Sequence, residues 1–410
     1  MIRLSIRISL SVCLAVGSLC TIAQNLSIRN QITVEQGGGV TPRVLAATAD
    51  GGVVIAGDRG GKRESGGEIW VARLAPSLKT VWRAALQVGA PLPSSYVANA
   101  IFEAPDGAIY LLANRSACLV DGTTGRCILG RRESVSEIIR IQPSGELAWI
   151  QPLECRRLGC SSGILLSAFA QPDGLMLMRT IAIPPTEIPG VGKLVRVLQK
   201  VSWQGKTEWE SEVEDIRGLP TRMLKLDSGL VFGEIGAGDA VSFRVVDGMG
   251  RLEPAISSPI RCRNGGFFKL TAEFSLFCST DDHAGPGAML GGRFLRLIPR
   301  SASAHAESAV KEISAASLVA DAPDGWVFIG SVRDQLGGRP VPAATYLSRT
   351  GPVSARLRFT ESKNASTVVA ASSTRPNEYF ASYGVPQRGG KPGESRAVLV
   401  RISAGPSAGP

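Results

Sequence analysis

The chain of 410 residues is 44% hydrophobic and 20% charged, with a formal net charge of +10. That length exceeds one small core, and that apolar content excludes an intrinsically disordered chain. The positive balance permits an acidic partner without requiring one.

Residues 1–23 read as a secretory signal. Arg3 and Arg7 supply a positive start, residues 8–16 are mainly apolar, and Thr21-Ile22-Ala23 offers a small-residue cleavage site. The apolar stretch is short for a membrane span of about 20 residues, and no later segment is longer. The expected mature chain is therefore secreted or periplasmic, without a transmembrane segment. It is expected to form a single domain over 24–404 and a flexible tail over 405–410.

Cys13 and Cys20 leave with the signal. Six cysteines remain as near neighbours: Cys118 with Cys127, Cys155 with Cys160, and Cys262 with Cys278. An even count in an exported chain points to three local disulfides. A metal-binding reading lacks a Cys-x-x-Cys pair.

A short unit recurs along the chain: small residues, an Asp-Gly turn and an apolar strand. The turns are Asp50-Gly51, Asp106-Gly107, Asp173-Gly174 and Asp324-Gly325. A repeat period of about 50 residues points to a β-propeller. In the first unit, strands A to D are expected over 44–48, 53–56, 69–74 and 81–86. The second places them over 98–102, 109–112, 138–141 and 147–150, with a long connection over 114–136. The third runs over 165–169, 175–178, 194–201 and 207–210. The fourth runs over 222–226, 230–232, 241–246 and from Arg251 onward. The fifth is degenerate, with 267–270, 274–278 and 294–298 and no fourth strand in view. The sixth is regular, with strands over 315–320, 327–329, 344–347 and 355–359. The seventh has 367–371, 379–382 and 397–402 and then stops.

The unassigned segment 27–34 supplies the missing strand. The expected fold is an all-β, seven-bladed propeller of four-stranded antiparallel blades, with the N-terminal strand closing the last blade. Six or eight blades are the alternatives. Closure of this kind removes an exposed sheet edge.

The Asp-Gly-Gly turn, and the tryptophans Trp82, Trp149 and Trp209 that follow the third strands, resemble bacterial exported propellers built from such repeats. The resemblance covers nearly the whole mature chain. It implies a fold and no particular activity.

In such blades the A–B and C–D hairpins share one face, and the B–C loops share the other. The A–B and C–D turns are short here and the B–C loops long, which makes the B–C side the expected ligand face. Its basic candidates are Arg59, Lys62, Arg63, Arg131, Arg132, Arg156, Arg157, Arg333 and Arg339. Aromatic side chains that would stack bases are scarce in those loops, so nucleic acid is not the expected partner. A protein or an anionic polymer is.

Catalytic signals are thin. Asp281, Asp282 and His283 form a weak metal or general-base candidate in a Gly-rich loop. No nucleophile elbow, zinc helix, P-loop or dinucleotide fingerprint is present. The expected function is non-enzymatic: a monomeric binding scaffold without a cofactor. The alternative is a hydrolase or lyase acting on a glycan or other anionic substrate at the mouth of the central channel.

Overall fold

The computed structural model describes residues 24–60, 68–86, 94–120, 127–154, 162–183, 193–213, 219–226, 229–235, 240–246, 256–261, 264–270, 274–279, 291–297, 304–311, 313–332, 341–349, 353–359, 365, 368–387 and 394–406. Their regular structure is entirely β.

The turn chemistry explains why the chain folds back where it does. The Asp50 Oδ1 accepts from the Gly52 N–H at 3.0 Å and from the Thr48 hydroxyl at 2.6 Å. Gly51 takes a φ of +83° and Gly107 a φ of +78°, conformations that cost glycine least. Asp106 repeats the device, with its Oδ1 accepting from the Ala108 N–H at 3.0 Å. Each turn therefore closes a two-stranded unit with bonds that are local in sequence.

The strands assemble into seven four-stranded antiparallel sheets. One comprises β2 (Val40–Ala47), β3 (Val53–Arg59), β4 (Glu68–Leu74) and β5 (Thr80–Leu86). The next comprises β6 (Ser94–Glu103), β7 (Ile109–Val120), β8 (Cys127–Ile141) and β9 (Leu147–Pro152). The third comprises β10 (Ser162–Gln171), β11 (Gly174–Ile183), β12 (Lys193–Ser202) and β13 (Thr207–Val213). Then come β14 (Leu219–Leu226), β15 (Gly229–Ile235), β16 (Ala240–Val246) and β17 (Ile256–Arg261). They are followed by β18 (Asn264–Lys269), β19 (Phe274–Ser279), β20 (Gly291–Leu297) and β21 (Ala304–Lys311). The sixth sheet holds β22 (Ile313–Ala322), β23 (Gly325–Val332), β24 (Val341–Ser348) and β25 (Val353–Arg358). The last runs β1 (Gln24–Gly38), β28 (Glu394–Pro406), β27 (Glu378–Pro386) and β26 (Val369–Ser372) in spatial order.

The first strands contact one another in sequence, from β2 to β6, β10, β14, β18, β22 and β26, and β26 contacts β2 again. They form the inner wall of a closed propeller. β1 pairs with β28 from Gln24↔Pro406 to Gly38↔Glu394, so the two ends of the chain share one sheet.

The core lies between sheets. One cluster joins Val54, Ile69 and Trp82 to Ile101, Leu111 and Ile139 of the following sheet. Another joins Val34, Phe380 and Leu399 to Val53, Ile55 and Trp70, and so spans the chain ends. A single four-stranded sheet has two faces to cover, and each neighbour covers one. This is why the middle strands read as unbroken apolar runs: every residue of β23 is buried.

Inner strands also present an unpaired backbone edge, which neighbouring side chains satisfy. The Asn114 amide accepts from the Leu165 N–H at 3.0 Å and donates to its carbonyl at 3.3 Å. Asn99 sits where the β6–β7 register slips and donates to the same carbonyl at 3.2 Å. The Ser167 hydroxyl accepts from the Met223 N–H at 2.9 Å. Each bond links one inner strand to the next sheet.

Several sequence expectations are corrected. The segment 114–136 is not a long loop: β7 and β8 remain paired past the blade, from Ile109↔Ile141 out to Val120↔Cys127. In the fourth unit the last strand is described over Ile256–Arg261, residues 251–255 lie outside the described residues, and the β16–β17 register is irregular. The fifth unit does have a fourth strand, β21, paired to β20 along Gly291↔Lys311 to Leu297↔Ala304. Its Ala-Glu-Ser sequence carries little apolar alternation, so it escaped the pattern.

Candidate ligand site at the channel mouth

The third strand of several sheets places a cation opposite the start of the second. Register sets Arg73 opposite Val54, Arg140 opposite Tyr110, Lys200 opposite Met176, and Arg401 opposite Phe380. From there each cation reaches the acidic residue of the preceding turn. Arg73 pairs with Asp50 at 3.3 Å and with Glu103 of the next sheet at 3.1 Å. Arg140 pairs with Asp106 at 2.8 Å, and Lys200 with Asp173 at 2.5 Å. Arg349 reaches Asp321 at 3.5 Å, and the Arg401 Nε reaches Glu378 at 3.1 Å. The Thr48 hydroxyl holds the Asp50 carboxyl below its usual range, and the Ala108 N–H does so for Asp106. The turn side of the propeller thus carries a recurrent, internally neutralised set of charges.

Tryptophans latch the sheets on this side. The Trp82 Nε1 donates to the Pro143 carbonyl in the next C–D turn at 3.0 Å. Its ring covers Gly145, whose φ is +94° and where an added Cβ would meet the indole at 2.8 Å. One sheet on, the Gln151 amide donates to the Gly205 carbonyl at 2.8 Å. Tryptophan after the third strand therefore serves sheet-to-sheet packing.

Inside this frame lies a cavity of about 700 Å³ at the turn end of the central channel. Six of the inner strands or their immediate extensions line it. Phe102, Phe169, Met223, Phe268, Leu318 and Ala371 supply one apolar surface each. The inner strands are apolar on both faces at this end, as in Ala168-Phe169-Ala170 and Leu318-Val319-Ala320. A strand facing only a water-filled channel would alternate with polar residues instead.

The polar rim comes mainly from one turn. Asp321 lies at the end of β22, and Ser372, Arg375 and Glu378 lie at the β26–β27 turn. Asn377, at φ +57°, lets that turn close. Tyr379 is buried, and burial, reinforced by the Asp321 charge, pushes its phenol up to about 12. It stays protonated and donates to the Asp321 carbonyl at 3.0 Å. The carboxylate oxygens of Asp321 and Glu378 face arginines, as described above. The arrangement provides an apolar bed with a few oriented polar groups, which suits binding.

The residues singled out in the sequence fall elsewhere. Arg59 ends β3, where it pairs with Glu35 and Glu68, each at 2.9 Å. Arg131 and Arg132 lie in β8, with Arg132 opposite Cys118. Lys62, Arg63, Arg156, Arg157, Arg333, Arg339, Asp281, Asp282 and His283 lie outside the described residues, as do Cys155, Cys160 and Cys262. The β7–β8 ladder sets Cys127 opposite Val120 rather than Cys118. Cys278 is 2% exposed and disulfide-bonded, and no bonded pair is found among the described residues. Among the described residues no group of three or more His, Cys, Asp or Glu is placed to hold a metal ion, and no helix is long and apolar enough to cross a membrane.

The sequence reading places its ligand face on the B–C side and names the channel mouth only for the alternative, catalytic function. The usable signal was the doubly apolar end of each first strand, just before its turn. In sequence comparisons no protein-family model and no curated protein matches the chain.

Proposed function

We propose that this protein is a non-catalytic binding scaffold, exported by its leader, that takes an apolar ligand at the turn end of its central channel. The observation that carries this reading is the cavity of about 700 Å³ lined by six inner strands. A volume in the range of about 300–1,000 Å³ with mainly apolar walls and few polar groups is the form of a small-molecule site. The rival reading, a hydrolase or lyase at the channel mouth, needs ionisable groups free to act on a substrate. Here the two carboxylates of the rim are engaged by Arg349 and Arg401.

The test uses the mature chain and the neutral fluorescent probe N-phenyl-1-naphthylamine. Ala170 and Ser372 line the cavity from β10 and β26, and Ser372 is exposed. Ala170→Trp and Ser372→Trp fill the mouth from two sides. We expect saturable binding that each variant weakens at least about tenfold, which is about 1.4 kcal/mol. Unchanged affinity in Ser372→Trp, with the thermal midpoint preserved, contradicts the reading.

A second surface is favoured by one observation: the β7–β8 hairpin carries Arg131 and Arg132 beyond the blade on the opposite side. With Arg59, which Glu35 and Glu68 engage, these are the residues of the expected basic face that stand on described backbone. The three local cysteine pairs belong to the same proposal, with Cys262 as the partner of Cys278.

A further inference from the structure

We propose that the channel-mouth ligand is a small apolar carboxylate, oriented with its tail among the inner strands and its head at Arg375. This rests on the binding reading above and names the ligand class for the same site. Charge bookkeeping at the rim carries it. Among the described residues the lining contains three charged side chains: Asp321, Glu378 and Arg375. Asp321 is met by Arg349 and Glu378 by Arg401. Among the described residues the Arg375 guanidinium has no ion-pair partner. Its backbone N–H is fixed by the Ser373 hydroxyl at 3.2 Å, and the Glu378 N–H donates to its carbonyl at 3.4 Å. The turn is thus built, and its cation is left unbalanced above an apolar bed.

A guanidinium presents a planar fork of donors that matches a carboxylate. The exposed Ser372 hydroxyl stands three residues away on the same rim. The bed beneath offers Phe169, Phe268 and Leu318 to an alkyl or aryl tail. A neutral ligand would use the bed but leave the cation unanswered. A cationic ligand would meet Arg375 directly and be repelled.

Two probes separate the head from the tail: cis-parinaric acid and its methyl ester, titrated into the mature chain and followed by fluorescence. The acid is expected to bind about threefold more tightly than the ester, within the roughly fivefold reach of an exposed ion pair. Arg375→Gln should remove that gap by weakening the acid alone. Arg375→Glu should reverse it, with the ester then preferred. Arg375 is exposed, and among the described residues no side-chain hydrogen bond or ion pair holds it, so both variants should keep the parent thermal midpoint. Equal affinity for acid and ester, both lost in Ser372→Trp, overturns the carboxylate class and leaves the cavity reading standing. Binding of neither probe, or binding that Ser372→Trp leaves intact, overturns both.

Discussion

Replacement of Val34 by Asp tests whether the two chain ends hold each other. Val34 is fully buried in β1 and packs in the cluster that contains Phe380, Leu399, Val53 and Trp70. Loss of a buried valine removes about 1.5–3 kcal/mol of transfer energy. Placing a carboxylate in that cluster adds a desolvation cost of several kcal/mol unless it stays protonated. The combined loss is about 4–6 kcal/mol, a large part of the roughly 5–15 kcal/mol that holds a domain together. Thr33 is the natural control, because it is exposed on the same strand and its side chain points the other way. Thr33→Asp should change stability by no more than about 0.5 kcal/mol. Urea unfolding of the two variants, followed by tryptophan fluorescence, gives the comparison. Equal midpoints for Val34→Asp and Thr33→Asp would refute the claim that β1 completes a packed sheet rather than lying loosely on it.

Two further outcomes follow from the turn side. Gly205→Ala should lower stability by about 1–3 kcal/mol, because Gly205 holds φ +80° and its added methyl would collide with the Gln151 amide; a urea midpoint equal to the parent would sink the latch. Asp106→Asn should flatten the acid limb of the stability curve. The Asp106 carboxyl is held below its unfolded value by the Ala108 N–H, so its contribution is full above about pH 4 and fades as pH falls through the folded value. Urea midpoints measured from pH 2 to 5 should therefore converge for parent and variant at the acid end and separate above it, with the parent higher; parallel curves would contradict the assignment.

The Asp-Gly turns were the most legible part of the fold, because a side-chain acceptor and a positive-φ glycine are local requirements that sequence states directly. The closing strand was legible for a different reason: a seventh unit short of one strand and an unassigned apolar segment at the other end. Strand limits were legible only where apolar alternation was strong. The outer strand β21, with sequence AHAESAVK, offers only alanines and one valine as apolar residues, too little contrast with their polar neighbours to mark a strand. The β7–β8 extension was hidden by Gly, Thr and Arg residues that read as loop.

The candidate site was the least legible. Its walls come from six strands separated by about 50 residues each, and no short motif joins Phe102 to Phe268. Loop length drew attention to the B–C side, because long loops carry function on rigid scaffolds. The short turns draw attention only through the apolar strand ends that stand behind them. The paired charges on that side were equally hidden: only register puts Arg140 against Asp106 and Arg401 against Glu378. Once those pairs are formed, Arg375 stands out as the rim cation without an ion-pair partner among the described residues.

On the function proposed above, the turn end of the channel holds an apolar ligand. The most direct measurement is a crystal structure of the mature chain grown with N-phenyl-1-naphthylamine. The account predicts ordered density for the probe between Phe169, Phe268 and Leu318, with Ser372 and Arg375 above it. An empty mouth, with the probe bound elsewhere or absent, would contradict it.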